Sequence, residues 1–155
     1  MKFRIVAVGK PRAQNLAAAI QDYEVRAARY WPLEIREVRE EPARNATPEL
    51  VREREGERLL AAAGAHALVV ACDADGEERT SAELAAWMHA ERERALRDVA
   101  FVIGGAYGLS AAVREAAAKR LSFSRFTFPH ELARLLLAEQ LYRAGTIVRG
   151  EPYHK

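Results

Sequence analysis

The chain has 155 residues, half of them hydrophobic and 30% charged, with 24 Lys+Arg against 22 Asp+Glu for a formal net charge of +2. That length suits one compact domain over residues 1–155 whose core needs no staples, and a single cysteine excludes a disulfide within one chain. The charge balance is too mild to announce a nucleic-acid partner. No stretch approaches the roughly 18 apolar residues of a membrane span, and the N-terminal apolar run is too short for a signal peptide, so the expectation is a cytoplasmic protein with no membrane partner.

Phe3 to Val8 is apolar and β-branched, closed by Gly9-Lys10-Pro11, and reads as a first strand. Leu16, Ile20, Tyr23, Ala27 and Tyr30 recur at steps of four and three, one face of a helix that Pro32 ends. Leu33 to Val38 alternates apolar and charged residues, as an edge-like strand does, and the polar stretch from Arg39 to Ala46 reads as a loop. Thr47-Pro48 starts a second helix, with a hydroxyl N-cap and proline in the first turn, running to Ala63 before Gly64. Ala67 to Cys72 is the continuous apolar run of a buried parallel strand, and Asp73-Ala74-Asp75-Gly76 predicts a turn.

Thr80-Ser81-Ala82-Glu83 is a capping box in front of a helix whose apolar stripe is Leu84, Trp87 and Met88. Val99 to Ile103 is another buried strand, broken by Gly104-Gly105-Ala106-Tyr107-Gly108, with Ser110 capping a short helix. Leu121 to Phe128 reads as extended. Pro129 opens a long last helix with Leu132, Leu135, Leu136 and Leu141 at helical spacing, and Glu151 to Lys155 forms a short tail. The alternation of strand and helix predicts an α/β fold, a parallel sheet with helices on both faces. There is no linker, internal repeat or low-complexity tract.

Ligands of such sheets bind at the carboxyl ends of the strands. Three stretches lie there: the one after Cys72, the one after Ile103, and Phe123 to Phe128 with Pro129. Gly104-Gly105-x-x-Gly108 lets a backbone approach a ligand closely. It lacks both the Gly-Lys-Ser/Thr of a P-loop and the G-x-G-x-x-G spacing of a dinucleotide site, and a plain tight connection into a helix weighs equally. Cys72 reads as a small hydrophobe at a strand end rather than a nucleophile. Asp73 and Asp75 start like an EF-hand loop, but its twelfth position is Leu84, so a plain turn is preferred. His66, His89, His130 and His154 show no metal-like pairing, and no metal is expected. Arg143 stands one turn after Glu139, which offers it an ordinary ion pair. Tyr153-His154 is unusual for a frayed end, although a disordered tail stays open as a reading.

Four motifs then occur in order. Phe101 to Ser110 resembles an I-G-G-x-x-G-L-S signature, and Leu121 to His130 an S-L-S-x-x-T-x-P-H segment. Ala138-Glu139-Gln140-Leu141-Tyr142-Arg143-Ala144 and the ending Pro152-Tyr153-His154 match two more. Val6 to Lys10 and Glu55-Gly56-Glu57 add to the likeness. Over essentially its whole length the chain resembles the RlmH type of the SPOUT class, which methylates N3 of a pseudouridine in 23S ribosomal RNA.

The resemblance implies a C-terminal trefoil knot, a homodimer with the last helix at the interface, S-adenosyl-L-methionine as cofactor, and 23S rRNA within the ribosome as partner. It places the cofactor against Cys72, Ile103, Gly104, Gly105, Gly108, Phe123, Ser124, Arg125, Phe126, Thr127 and Phe128. On that basis the expectation is that Tyr153 and His154 of one subunit cover the target base at the partner's cofactor, with Arg143 holding a phosphate or the developing N3 anion. The chain departs from the pattern where Cys72 replaces a common leucine, Ala106-Tyr107 a common Pro-Glu, and Phe126 and Phe128 smaller apolar residues. These changes keep an apolar lining and leave the use of Tyr107 open. Three further readings remain: a SPOUT enzyme with another RNA target, a catalytically silent ribosome-binding factor, and a flavodoxin-like nucleotide binder.

Overall fold

A computed structural model describes all 155 residues, Met1–Lys155. Five strands, β1 (Phe3–Val8), β2 (Leu33–Val38), β3 (Leu68–Glu78), β4 (Val99–Ile103) and β5 (Lys119–Ser122), form one sheet in the order β2-β1-β4-β3-β5. Every pairing is parallel. The helices between and after them are α1 (Gln14–Ala27), α2 (Pro48–Ala63), α3 (Ser81–Arg94), α4 (Ala111–Ala116) and α5 (His130–Val148), followed by a 3-10 turn at Pro152–His154.

Side chains alternate across each strand, so the sheet feeds two cores. Phe3, Ile5, Val70 and Phe101 pack with Trp31, Met88, Leu137 and Leu141, which puts α1, α3 and α5 on one face. Val6, Val8, Val69, Ala71 and Val102 pack with Leu59, Ala63 and Val113, which puts α2 and α4 on the other. A strand covered on both faces has no polar side. Hence all six residues of β1 are buried, while β2 at the edge is mostly half-buried.

Local caps form where the sequence places them. Thr47 Oγ1 accepts the Leu50 N–H at 3.2 Å. Thr80 and Glu83 complete a reciprocal capping box, and Ser110 Oγ accepts the Val113 N–H at 3.3 Å. α5 lies between α1 and α3. Trp31 Nε1 donates to the Leu141 carbonyl at 2.8 Å. The buried Arg134 guanidinium reaches Glu24 of α1 at 2.7 Å and Glu37 of β2 at 2.8 Å.

Two expectations need correction. Asp73 to Gly76 is not a turn that ends a strand, because β3 continues through it to Glu78. Pairing with β5 stops at Cys72↔Leu121 and resumes at Glu77↔Leu121, so the four residues form a bulge within the strand. The turn chemistry is still present, since Asp73 Oδ1 accepts the Asp75 N–H at 3.2 Å. The bare α-carbon of Gly76 lets the strand close again on β5, for a Cβ there would stand 2.7 Å from the Arg120 carbonyl. Residues 121–128 are likewise not one extended segment. β5 ends at Ser122, whose hydroxyl lies 3.0 Å from the Ala74 carbonyl and 2.9 Å from that of Ser124, and a loop follows. The tail is not disordered: Pro152–His154 turn back on α5.

Candidate active site

The three carboxyl-end stretches meet around one cavity of about 440 Å³, a size ordinary for a small-molecule site. Its floor is the loop after β4. Gly104 and Gly108 touch backbone to backbone there, since a Cβ on Gly104 would lie 2.6 Å from the Gly108 carbonyl carbon. The Gly108 N–H donates to the Gly105 carbonyl at 3.0 Å. Gly108 holds φ +82°, a conformation that favours glycine. A side chain on Gly104 would move the loop, whereas at Gly108 there is space for a Cβ and the cost would be backbone strain.

One wall is the segment after β5, folded tightly by the Phe126 N–H donating to Ser124 Oγ at 3.1 Å. The other wall is the β3 bulge. Asp73 is held there between Arg120 at 2.7 Å and Arg114 at 3.0 Å. Burial raises its pKa, but Arg120, the Asp75 N–H and Arg114 outweigh that and hold the carboxyl below its usual range. Burial, with Asp73 beside it, pushes the Cys72 thiol up to about 12. A thiol in that state is no nucleophile at neutral pH, which favours the small-hydrophobe reading.

All eleven residues expected at a cofactor line this cavity: Cys72, Ile103, Gly104, Gly105, Gly108, Phe123, Ser124, Arg125, Phe126, Thr127 and Phe128. Sequence reasoning left out Asp73, Arg114, Tyr107 and His130, which line it as well. His130 had a visible signal in the Pro129-His130 step. Arg114 had one in its spacing of four from Ser110, the cap of α4.

Arg143, Tyr153 and His154 are not brought to the cavity. Arg143 lies thirteen residues along α5 from His130, about 20 Å at the rise of a helix. It pairs with Glu139 at 2.6 Å, as its spacing allowed, and its guanidinium stands 5.0 Å from the Tyr153 ring centroid. The Tyr153 ring packs 4.5 Å from that of Tyr142, and its hydroxyl donates to Glu139 Oε1 at 3.1 Å. Burial, with the neighbouring Tyr23 and Glu139, pushes its phenol well up, so it stays neutral. No group of three His, Cys, Asp or Glu side chains suited to a metal occurs, and no helix is long and apolar enough to cross a membrane.

A family sequence profile described as "Predicted SPOUT methyltransferase" matches residues 1–154. The chain belongs to the SPOUT methyltransferase family. Proteins named ribosomal RNA large subunit methyltransferase H are similar to this SPOUT chain over its whole length. The one from Gemmatimonas aurantiaca is 59% identical over 155 residues, covering all of both chains. The one from Geobacter metallireducens is 46% identical over 154 residues, 99% of each.

Solved structures share the SPOUT fold at low identity. A probable methylase family protein from Haemophilus influenzae superposes with TM-score 0.60 and 15% identity over 99% of this chain and 70% of that one. A probable methyltransferase from Bordetella pertussis gives 0.57 and 20% over 93% and 94%.

Proposed function

We propose that this protein is a ribosomal RNA methyltransferase that moves the methyl group of S-adenosylmethionine to N3 of a pseudouridine in 23S rRNA, acting in the cytoplasm as a homodimer on the assembled ribosome. The observation that carries the reading is the glycine-floored cavity at the β3 bulge and the carboxyl end of β4, in a chain 59% identical throughout to a protein named for large-subunit rRNA methylation.

The residues fit S-adenosylmethionine. Ile103, Leu109 and Phe128 offer an apolar slot for a flat ring. Gly104, Gly105 and Gly108, which carry no side chains, offer backbone groups to the polar parts of the molecule. The cofactor supplies a methyl group already activated on sulfonium. The protein's task is therefore to hold that methyl in line with a nucleophilic nitrogen.

Phe126, 78% exposed, and the exposed Tyr107 stand at the mouth, where a base must arrive. Arg143, Tyr153 and His154 stand too far from their own cavity to reach it, so a second copy brings them to the base. A neutral Tyr153 stacks or donates a hydrogen bond and does not abstract the N3 proton. Stacking on a base displaced from its helix is worth roughly 1–3 kcal/mol. Arg143, once it leaves Glu139, has a free cation for a phosphate or for the developing N3 anion.

The test is methyl transfer from labelled S-adenosylmethionine to assembled ribosomes that lack this modification, with the product mapped by mass spectrometry. Label on one pseudouridine N3, absent with naked rRNA, is the expected result. Binding of S-adenosylhomocysteine without label would move the target to another RNA. No binding at all would favour a ribosome-binding factor without catalysis.

A further inference from the structure

Glu55 is placed where a carboxylate is costly. It sits on α2, 2% exposed. Its Oε2 accepts the Glu41 backbone N–H at 3.0 Å, while its Oε1 has no partner. An unpaired buried oxygen carries a desolvation cost that a neutral side chain would avoid. No cation is close enough to form an ion pair with it. The ionisable groups around it are Glu40 and Glu41 of the β2–α2 loop, Arg58 of α2 and His130 of α5. Burial, with Glu40 adding to it, raises its pKa against the opposing pull of the Glu41 N–H, Arg58 and His130.

The free oxygen faces the glycine loop. A Cβ built on Gly105 would lie 2.7 Å from Glu55 Oε1 and 3.2 Å from Val8 Cγ1. The α-carbon of Gly105 therefore rests on the carboxyl with no side chain between them. Gly105 lines the cavity and Glu55 does not, so the carboxyl supports the loop from outside the cavity. Behind Glu55, α2 is itself pressed inward. Gly56 admits Ser110, the cap of α4, against its bare α-carbon, which fixes α2 closely on α4.

We propose that Glu55 is a positioning residue: its carboxyl bears on the α-carbon of Gly105 and sets how far the glycine loop stands into the cavity, and so how well the cofactor is held. This rests on the reading of that cavity as the S-adenosylmethionine site. A purely structural Glu55, kept only to tie down the Glu41 N–H, would change stability without changing cofactor affinity.

The experiment is a double-mutant cycle on the full chain, read by calorimetry with S-adenosylhomocysteine. Amide hydrogen exchange of residues 104–109 without ligand and thermal unfolding are measured in parallel. Gly105→Ala drives a methyl into the carboxyl and lifts the loop, and Glu55→Ala removes its support. Each is expected to weaken binding roughly tenfold and to speed exchange in the loop. In the double variant the methyl occupies the vacated space, and affinity returns to within about threefold of the parent, the non-additivity expected of groups in contact. Glu55→Gln, which keeps the shape of the side chain against Gly105, is expected to bind like the parent.

Additive losses in the double variant would overturn the proposal. So would an Glu55→Ala protein that is less stable yet binds normally. Should the parent itself bind no S-adenosylhomocysteine, the cofactor reading falls, and the exchange rates alone judge the Glu55–Gly105 contact: unchanged rates in both single variants would refute it.

Discussion

Cys72 and Asp73 are neighbours in the cavity wall with opposite electrostatics. The thiol, pushed up to about 12, stays protonated across the physiological range. Iodoacetamide at pH 8 is expected to leave it unmodified in the folded protein and to label it after unfolding in urea. Cys72→Ala is expected to keep methyl transfer within about threefold, since a small apolar residue is all the position asks. Rapid alkylation of the folded chain would contradict this.

The Asp73 carboxyl is held below its usual range by Arg120, the Asp75 N–H and Arg114. A depressed folded-state pKa adds stability above the unfolded value, about 3.9, and that stability is lost as pH falls through the folded value. Asp73→Asn is therefore expected to be less stable than the parent at pH 7, with the difference shrinking below about pH 4. Urea titrations at the two pH values would show it, and a gap that widened in acid would contradict the assignment.

At the scale of the element, α5 is the piece that orders the rest. It carries Leu137 and Leu141 into the core, Arg134 to α1 and β2, and Gly145 against Tyr30. A Cβ on Gly145 would fall onto the Cβ and ring of Tyr30. Alanine in a helix interior gains about 1 kcal/mol over glycine in propensity, whereas overpacking costs about 1–3 kcal/mol or more. The first atom met is the Tyr30 Cβ, which moves only with its backbone, so the clash wins. Gly145→Ala is expected to lower stability by about 1–2 kcal/mol in chemical unfolding; a stabilised variant would mean that α1 and α5 can slide apart freely.

Elements whose instructions are local were legible from sequence. Thr47-Pro48, Thr80 with Glu83, and Ser110 each satisfy helix N–H groups within three residues, and each forms as read. The β3 bulge was not legible in the same way. Asp73-Ala74-Asp75-Gly76 has true turn chemistry, and what keeps it in the sheet is β5, more than forty residues later. The loop from Phe123 was misread for the converse reason. Its residues are apolar enough for a strand, but β5 is an edge strand that ends where the Ser122 hydroxyl reaches Ala74 and Ser124.

For the whole molecule, the separation of the cavity from Arg143 and the tail makes the proposed division of labour between two copies testable. A protein lacking residues 153–155 keeps its cavity. A Gly104→Val protein keeps its tail but loses its cavity, because the added Cβ meets Gly108. Each alone is expected to be inactive. Mixed and allowed to exchange subunits, they are expected to recover methyl transfer at the one composite site per mixed dimer. Persistent inactivity after exchange would contradict the shared site.

The linear sequence determined the alternation of strand and helix, the caps, the buried runs of β3 and β4, and the three stretches that come to line the cavity. Those properties depend on hydrophobic period, on bonds spanning three or four residues, and on motifs contiguous in the chain. The tertiary structure decided the strand order β2-β1-β4-β3-β5, the course of β3 beyond Cys72, and the closing of three distant stretches around one cavity. It alone placed Glu55 beneath Gly105 and kept Arg143 and Tyr153 away from the cavity of their own chain. Each of these is a contact between residues far apart in the chain, and the free energy that selects such a contact exists only once the sheet has brought both sides together.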